Sequence, residues 1–294
     1  MSSPDMTPAV TRRRRSWFSR LLKEMRHARF TAWFGVLVIL AYAILALFAP
    51  QIAPYNEATV AGQPYMAWGG HFLLGTDQLG RDVLSRLIYG ARNTVGIAVI
   101  TTCLAFLLGG TLGIVAALYG GWLDQLCSRI VDVFMSIPSV IFALLFLSAF
   151  GSSIPNLIVT LAALDATRVF RLARAAAGNV VVMDFIQIAR VRGESAVWLI
   201  RREILPNIMA PLIVEFGLRF CFVFLSIAAL SFLGVGIQPP TADWGSMVRE
   251  NAALISYGNI TPLLPAAAIA LLTIAINFVI DWYLYRTSGL RDER

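Results

Sequence analysis

Long uncharged apolar runs alternate with shorter polar intervals along this chain, and the lengths of the runs decide what they are. Phe30 to Ala49 carries no charged side chain and is about twenty residues long, the length needed to cross a hydrocarbon layer of about 30 Å. Thr94 to Leu123 holds a second uncharged run. Between Asp132 and Asp165 there is again no charge, but the stretch exceeds one crossing and is interrupted at Gly151, Ser152, Ser153 and Pro155. It therefore predicts two helices joined by a tight turn, near Ile130 to Phe150 and Ile154 to Phe170. Further runs predict a fifth span near Pro211 to Leu233 and a sixth near Pro262 to Tyr285. The pattern reads as an all-α integral membrane protein with six transmembrane helices.

The first run follows a long basic stretch, Arg12 to Arg15 and on through Arg20, Lys23, Arg26 and Arg29. A cleaved leader has a shorter basic part and an apolar core of about 7–15 residues, so an uncleaved first helix is expected. From Pro50 to Asn93 the chain is polar and turn-rich, closing on a short amphipathic helix around Asp82 to Tyr89. In the second run Gly109 and Gly113 share one helical face with Ala105 and Ala117, a spacing of small residues that lets helices approach closely.

Composition agrees with this pattern. The chain has 294 residues, 58% hydrophobic and 14% charged, against about 45–50% and 25% in soluble domains. A net charge of +7 suggests topology and not nucleic acid, because Lys and Arg concentrate in loops kept on the cytoplasmic side. With six spans and a cytoplasmic N-terminus, that side receives the basic N-terminal segment, Arg129, Arg168, Arg171, Arg174, Arg190, Arg192, Arg201, Arg202, Arg286, Arg291 and Arg294. The other side keeps Arg81, Arg86, Arg92 and Arg249. Both termini are therefore expected in the cytoplasm.

Candidate chemistry is sparse. A phosphate-binding loop needs a lysine on the phosphates, and the single lysine, Lys23, lies in the basic tail, so no nucleotide hydrolysis is expected of this chain. His27 and His71 lie near no nucleophile motif, and Cys103, Cys127 and Cys221 have no metal-site spacing. Neither an enzyme nor a resident metal or cofactor is expected. The ionisable residues in or near the spans are Asp132, Asp165, Glu215, Arg219 and Asp281. Asp165 lies one turn before Arg168, and Glu215 is four residues before Arg219. Each couple has two readings, a structural ion pair or part of a substrate path through the membrane.

Asp184 to Asn207 reads DFIQIARVRGESAVWLIRREILPN, two short helix-like pieces joined at Gly193. On spacing alone it is either a docking knob or an amphipathic loop on the membrane surface. Gln187, Ile188, Ala189 and Gly193 resemble the cytoplasmic coupling motif of binding-protein-dependent ABC importer permeases, Glu-Ala-Ala, three residues, then Gly, with Gln187 and Ile188 departing from it. Ile204-Leu205-Pro206-Asn207 looks like that motif's closing segment. Leu74-Gly75-Thr76-Asp77 through Gly80-Arg81-Asp82-Val83 to Tyr89-Gly90-Ala91-Arg92 resembles an external segment of the dipeptide/oligopeptide/nickel branch. So does Ser231-Phe232-Leu233-Gly234 through Gln238-Pro239-Pro240 to Asp243-Trp244-Gly245.

The resemblance spans Phe30 to Arg291 and points to the second permease type of that branch. It implies a type I ABC importer permease fold in a bacterial inner membrane. It also implies a heterodimer with a homologous permease, two ATP-binding subunits that hold ATP and Mg, and a periplasmic solute-binding protein. The division that follows is a basic tail at 1–29, a first helix and periplasmic segment at 30–93, a five-helix core at 94–285 with its coupling loop at 171–207, and a terminal tail at 286–294. Phe185, Gln187, Ile188, Ala189, Gly193, Glu194 and Trp198 are expected to couple to the ATPase subunits. Trp244 and Arg249 are expected to contact the binding protein. Peptide-like cargo is the default, beside nickel chelates, glutathione and opine-like conjugates. The rival is an ion-coupled secondary transporter or channel acting without ATPase subunits, with Asp165 and the Glu215–Arg219 pair as its relay.

Overall fold

The computed structural model describes residues 30–287. The basic tail expected at 1–29 and all but the first two residues of the terminal tail expected at 286–294 lie outside the described residues. The first helix, α1, runs Phe30–Ile52 and bends at Phe48 (φ −104°, ψ 16°), two residues before Pro50, whose ring crowds the carbonyl four residues back.

Helix α2 is one continuous element, Val83–Tyr119. The amphipathic helix expected near Asp82 to Tyr89 is its first two turns, started by the Asp82 side chain accepting from the Ser85 N–H. Two wide π turns, Ala91–Val95 and Phe106–Gly110, interrupt it, and it ends before the Gly120-Gly121 pair.

The expected third span is corrected. In place of one helix from Ile130 to Phe150 there are two, α3 (Gly121–Met135) and α4 (Ser139–Phe150), bent by 83°. The break is local chemistry, since Pro138 lacks an N–H and pushes Ile137 out of the helical region. Helix α5, Ile154–Val181, starts with the Ser153 side chain accepting from Asn156 and Pro155 in the first turn, and runs eleven residues beyond the predicted end. It bends by 75° into α6, Asp184–Val191.

After Gly193, helix α7 runs Ala196–Phe232. The second short piece expected there, ending at Pro206, is the first part of this long helix, not a separate unit. Helices α8 (Trp244–Asn251) and α9 (Leu263–Thr287) follow. Among the described residues α1, α2, α7 and α9 are each long and apolar enough to cross a membrane, and six crossings result when each bent pair counts as one.

Helix α5 is the axis of the bundle. A Cβ placed on Gly109 would lie 2.2 Å from the Ala166 carbonyl oxygen, so α2 and α5 touch there because the residue is glycine. Two buried apolar blocks sit at opposite ends of α5. One gathers Leu157, Leu161 and Leu164 with Val83, Phe224, Ile227 and Trp244. The other gathers Ala173, Ala177 and Val181 with Ile114, Leu118, Ile186, Ala189 and Leu199. Antiparallel to one another, α1 and α9 are joined by the Tyr42 hydroxyl donating to the Ala268 carbonyl at 3.0 Å. Leu37, Ile44 and Leu47 of α1 face outward, as a lipid-facing surface requires.

Candidate docking helix, membrane ion cluster and cap

Helix α6 stands off one end of the bundle between the long helices α5 and α7. Its end is a Schellman motif, with Glu194 N–H donating to the Ala189 carbonyl at 3.2 Å and Gly193 N–H to the Arg190 carbonyl at 2.9 Å. That motif needs a left-handed residue, and Gly193 has φ +78°. Period 3.6 then sorts the side chains. Ile186 and Ala189 point into the second apolar block, whereas Phe185, Ile188 and Val191 are exposed.

The expected coupling residues therefore divide. Phe185 and Ile188 lie on the open face, while Ala189, only 4% exposed, packs against the protein's own core. Gln187 donates to the Val181 carbonyl at 3.3 Å, tying the helix to the end of α5. Glu194 pairs with Arg192 at 2.9 Å. Trp198 is half-buried in the first turn of α7.

Midway along α5 and α7, the two expected ion pairs form one cluster. Asp165 Oδ1 is 3.5 Å from both Arg168 Nη1 and Arg219 Nη1, and Arg219 Nε is 2.8 Å from Glu215 Oε1. This last contact has ion-pair distance without hydrogen-bond geometry, which leaves Arg219 Nε without a hydrogen-bond acceptor. The Arg219 guanidinium also lies 4.6 Å from the centre of the Phe222 ring. Two acids and two bases balance, so the cluster can sit at membrane depth without net charge. Arg168 is the member left open, with 40% of its side chain exposed against 6% for Asp165. Asp132, read with these residues as near the spans, pairs instead with Arg171 at 3.1 Å. Nearby, Asp124 takes Arg174 through two hydrogen bonds.

At the opposite end from α6, residues 53–82 and 233–262 interlock into a cap. Arg81 and Arg86, read from the sequence only as topology charges, are buried with Asp77 and Glu250. Arg81 Nε reaches Asp77 at 2.7 Å, and Glu250 receives Arg81 at 3.0 Å and Arg86 at 3.1 Å. Glu57 accepts from Asn93 at 2.8 Å and from the Ala242 N–H at 2.7 Å. Asp243 starts α8 by accepting from the Ser246 N–H at 2.8 Å and takes the Thr94 hydroxyl at 2.9 Å. Burial pushes the Asp243 carboxyl above its ordinary range, against the pull of those hydrogen bonds.

Trp244 does not reach the surface. It is 1% exposed, donates to the Leu87 carbonyl at 2.9 Å and packs edge-on to Tyr42 and Phe224. Of the two residues expected to meet an external partner, only Arg249 lies on the surface. No group of three metal-ligating side chains occurs among the described residues.

Residues 109–287 match the family described as binding-protein-dependent transport system inner membrane component. The chain belongs to that family. It is 37% identical over 265 residues, 88% of this chain and 86% of the relative, to the Escherichia coli dipeptide transport system permease protein DppC. To the Haemophilus influenzae protein of the same description it is 34% identical over 268 residues, 89% of this chain and 88% of the relative. The Pectobacterium atrosepticum glutathione transport system permease protein GsiD is 31% identical over 284 residues, 95% of this chain and 89% of the relative.

Among solved structures, an inward-facing MetNI methionine ABC transporter superposes with a TM-score of 0.53 at 17% identity, covering 68% of this chain and 97% of that one. An amino acid ABC transporter gives 0.51 at 16%, covering 69% and 94%. The fold is that of type I ABC importer permeases. As an inner-membrane component of such a transporter, the chain is a permease subunit that associates with other ABC components, and ATP hydrolysis belongs to partner subunits.

Proposed function

We propose that this permease forms one half of the pathway by which an ATP-driven importer carries peptides or related small solutes across a bacterial inner membrane, both termini lying in the cytoplasm. The other half is a homologous permease, making a heterodimer. Two ATP-binding subunits, which hold ATP and Mg, complete the transporter, one of them docking on α6, and a periplasmic solute-binding protein delivers cargo to the cap end. The working core is 94–285, with 171–207 as its coupling loop and 30–93 as a first helix and outer segment. The observation that carries this reading is α6 itself, a short helix closed by a Schellman turn whose exposed face is apolar at Phe185, Ile188 and Val191. An apolar face held off the bundle favours a partner surface.

Asp165, Arg168, Glu215 and Arg219 line or brace the pathway, with Arg168 turned towards the second permease. A charged side chain half-exposed at that depth faces protein or water and not lipid. Arg249 is the outward residue available to the binding protein. The similarity to dipeptide and glutathione permeases supports peptide-like cargo. Extraction in mild detergent tests the whole reading: ATP-binding subunits should remain with the chain. Transport by this chain alone in vesicles would overturn the reading in favour of an ion-coupled carrier.

A further inference from the structure

We propose that Arg190 is a positioning residue that fastens the docking helix to the end of α2, so that movement of α6 reaches α2 and α3 as well as the two helices α6 is joined to in sequence. The proposal rests on the reading of α6 as the docking helix. By chain connectivity α6 continues only into α5, through Val182 and Met183, and into α7, through residues 192–195. Nothing covalent links it to α2.

The link is made by one side chain. The last four carbonyls of a helix have no donor within the helix. At the end of α2, Ala116 O is taken by the Gly120 N–H at 2.9 Å, and Leu118 O is taken by Arg190 Nη2 at 3.0 Å. A guanidinium at this position also meets the negative end of the helix dipole, and a charged donor makes the bond stronger than a neutral one. Ile114 and Leu118 share one buried apolar cluster with Ile186 and Ala189 at the same junction. Such contacts permit sliding, whereas a directed hydrogen bond to one carbonyl fixes register.

What lies beyond Leu118 makes the fastening consequential. Two residues on, Gly120 and Gly121 lead into α3, which is pinned to α5 by the Asp124–Arg174 and Asp132–Arg171 pairs. A displacement of α6 transmitted at Leu118 therefore reaches α2 and, through Gly120 and Gly121, the start of α3 and the ion pairs that join it to α5. The neighbouring Arg192 takes no part, being paired with Glu194 at 2.9 Å.

The test uses the assembled transporter in proteoliposomes, with binding protein and cargo present, and reads cargo moved per ATP hydrolysed. Arg190→Met keeps the reach and removes the donor, while Arg190→Lys restores a single charged donor. The Met variant should retain its ATP-binding subunits and basal ATPase while cargo per ATP falls about tenfold, the scale of one charged hydrogen bond. The Lys variant should recover most of that loss. Unchanged cargo per ATP in the Met variant would overturn the proposal, and so would a Lys variant as impaired as the Met. Loss of the ATP-binding subunits from the Met variant would also overturn it, by making Arg190 a contact with the partner. If the unaltered chain retains no ATP-binding subunits, it is the docking reading that fails.

Discussion

The two ends of the bundle are built on opposite principles. At the cap end, residues far apart in sequence are locked by buried charge: Asp77, Arg81, Arg86 and Glu250 meet with little exposed surface, and Trp68 donates to Thr261 across 193 positions at 3.0 Å. At the docking end, α6 leaves Phe185, Ile188 and Val191 in the open and is fixed by few polar bonds, those of Gln187 and Arg190 among them. A buried charge network tolerates no half-measures, because removing one partner strands the others in a medium that solvates them poorly. An exposed apolar face costs little when altered but offers a partner most of its contact. Rigidity therefore belongs to the cap and interaction to the knob.

The difference is open to measurement, and the largest effect should come from the cap. Glu250→Gln leaves Arg81 and Arg86 with Asp77 alone and should cost about 3 kcal/mol. A thermal midpoint in detergent unchanged from the parent would show that charge does not hold the cap. Between the ends, Gly109→Val forces α2 away from the Ala166 carbonyl and should cost about 1–3 kcal/mol, read from the same melting curve. At the knob, a Cβ added at Gly193 meets no neighbouring atom, but Gly193→Val strains a left-handed turn by about 1–2 kcal/mol. Insertion should survive while transport and binding-protein-stimulated ATPase fall; full coupled activity would remove Gly193 from the coupling element. Smallest in stability is Ile188→Ser, expected within about 0.5 kcal/mol of the parent, yet it should weaken retention of the ATP-binding subunits. If it instead destabilises the chain as Glu250→Gln does, the contrast between the ends collapses.

Much of the architecture was legible in the sequence because membrane crossing is a matter of length and charge. Runs such as Phe30 to Ala49 can be little else, and the small-residue face of α2 foretold a close helix contact, though not that α5 makes it. The break at Ser136 to Pro138 was equally visible as a proline within an apolar run, but hydropathy averages over it. Gly193 announced a helix end and proved to be one. Ala189 and Trp244 prove to be buried, which the sequence did not show for a shared reason: motif resemblance says which residues recur together, not which side of an element they occupy. The buried roles of Arg81 and Arg86 were hidden because arginine in a polar loop ordinarily reports topology, and their acidic partner Glu250 lies more than 160 positions away.

Helix α5 has 28 residues, a rod of about 42 Å at 1.5 Å per residue, and it takes part in both apolar blocks. A rod pivoted near its middle behaves as a see-saw. A tilt of about 5° moves each tip by roughly 2 Å, in opposite senses, a displacement of the size at which packed interfaces switch. The stretch near the middle where Asp165 meets Arg219 of α7 would serve as such a pivot. One rotation there would widen one mouth as it narrowed the other, so reciprocal opening would need no signal relayed from end to end.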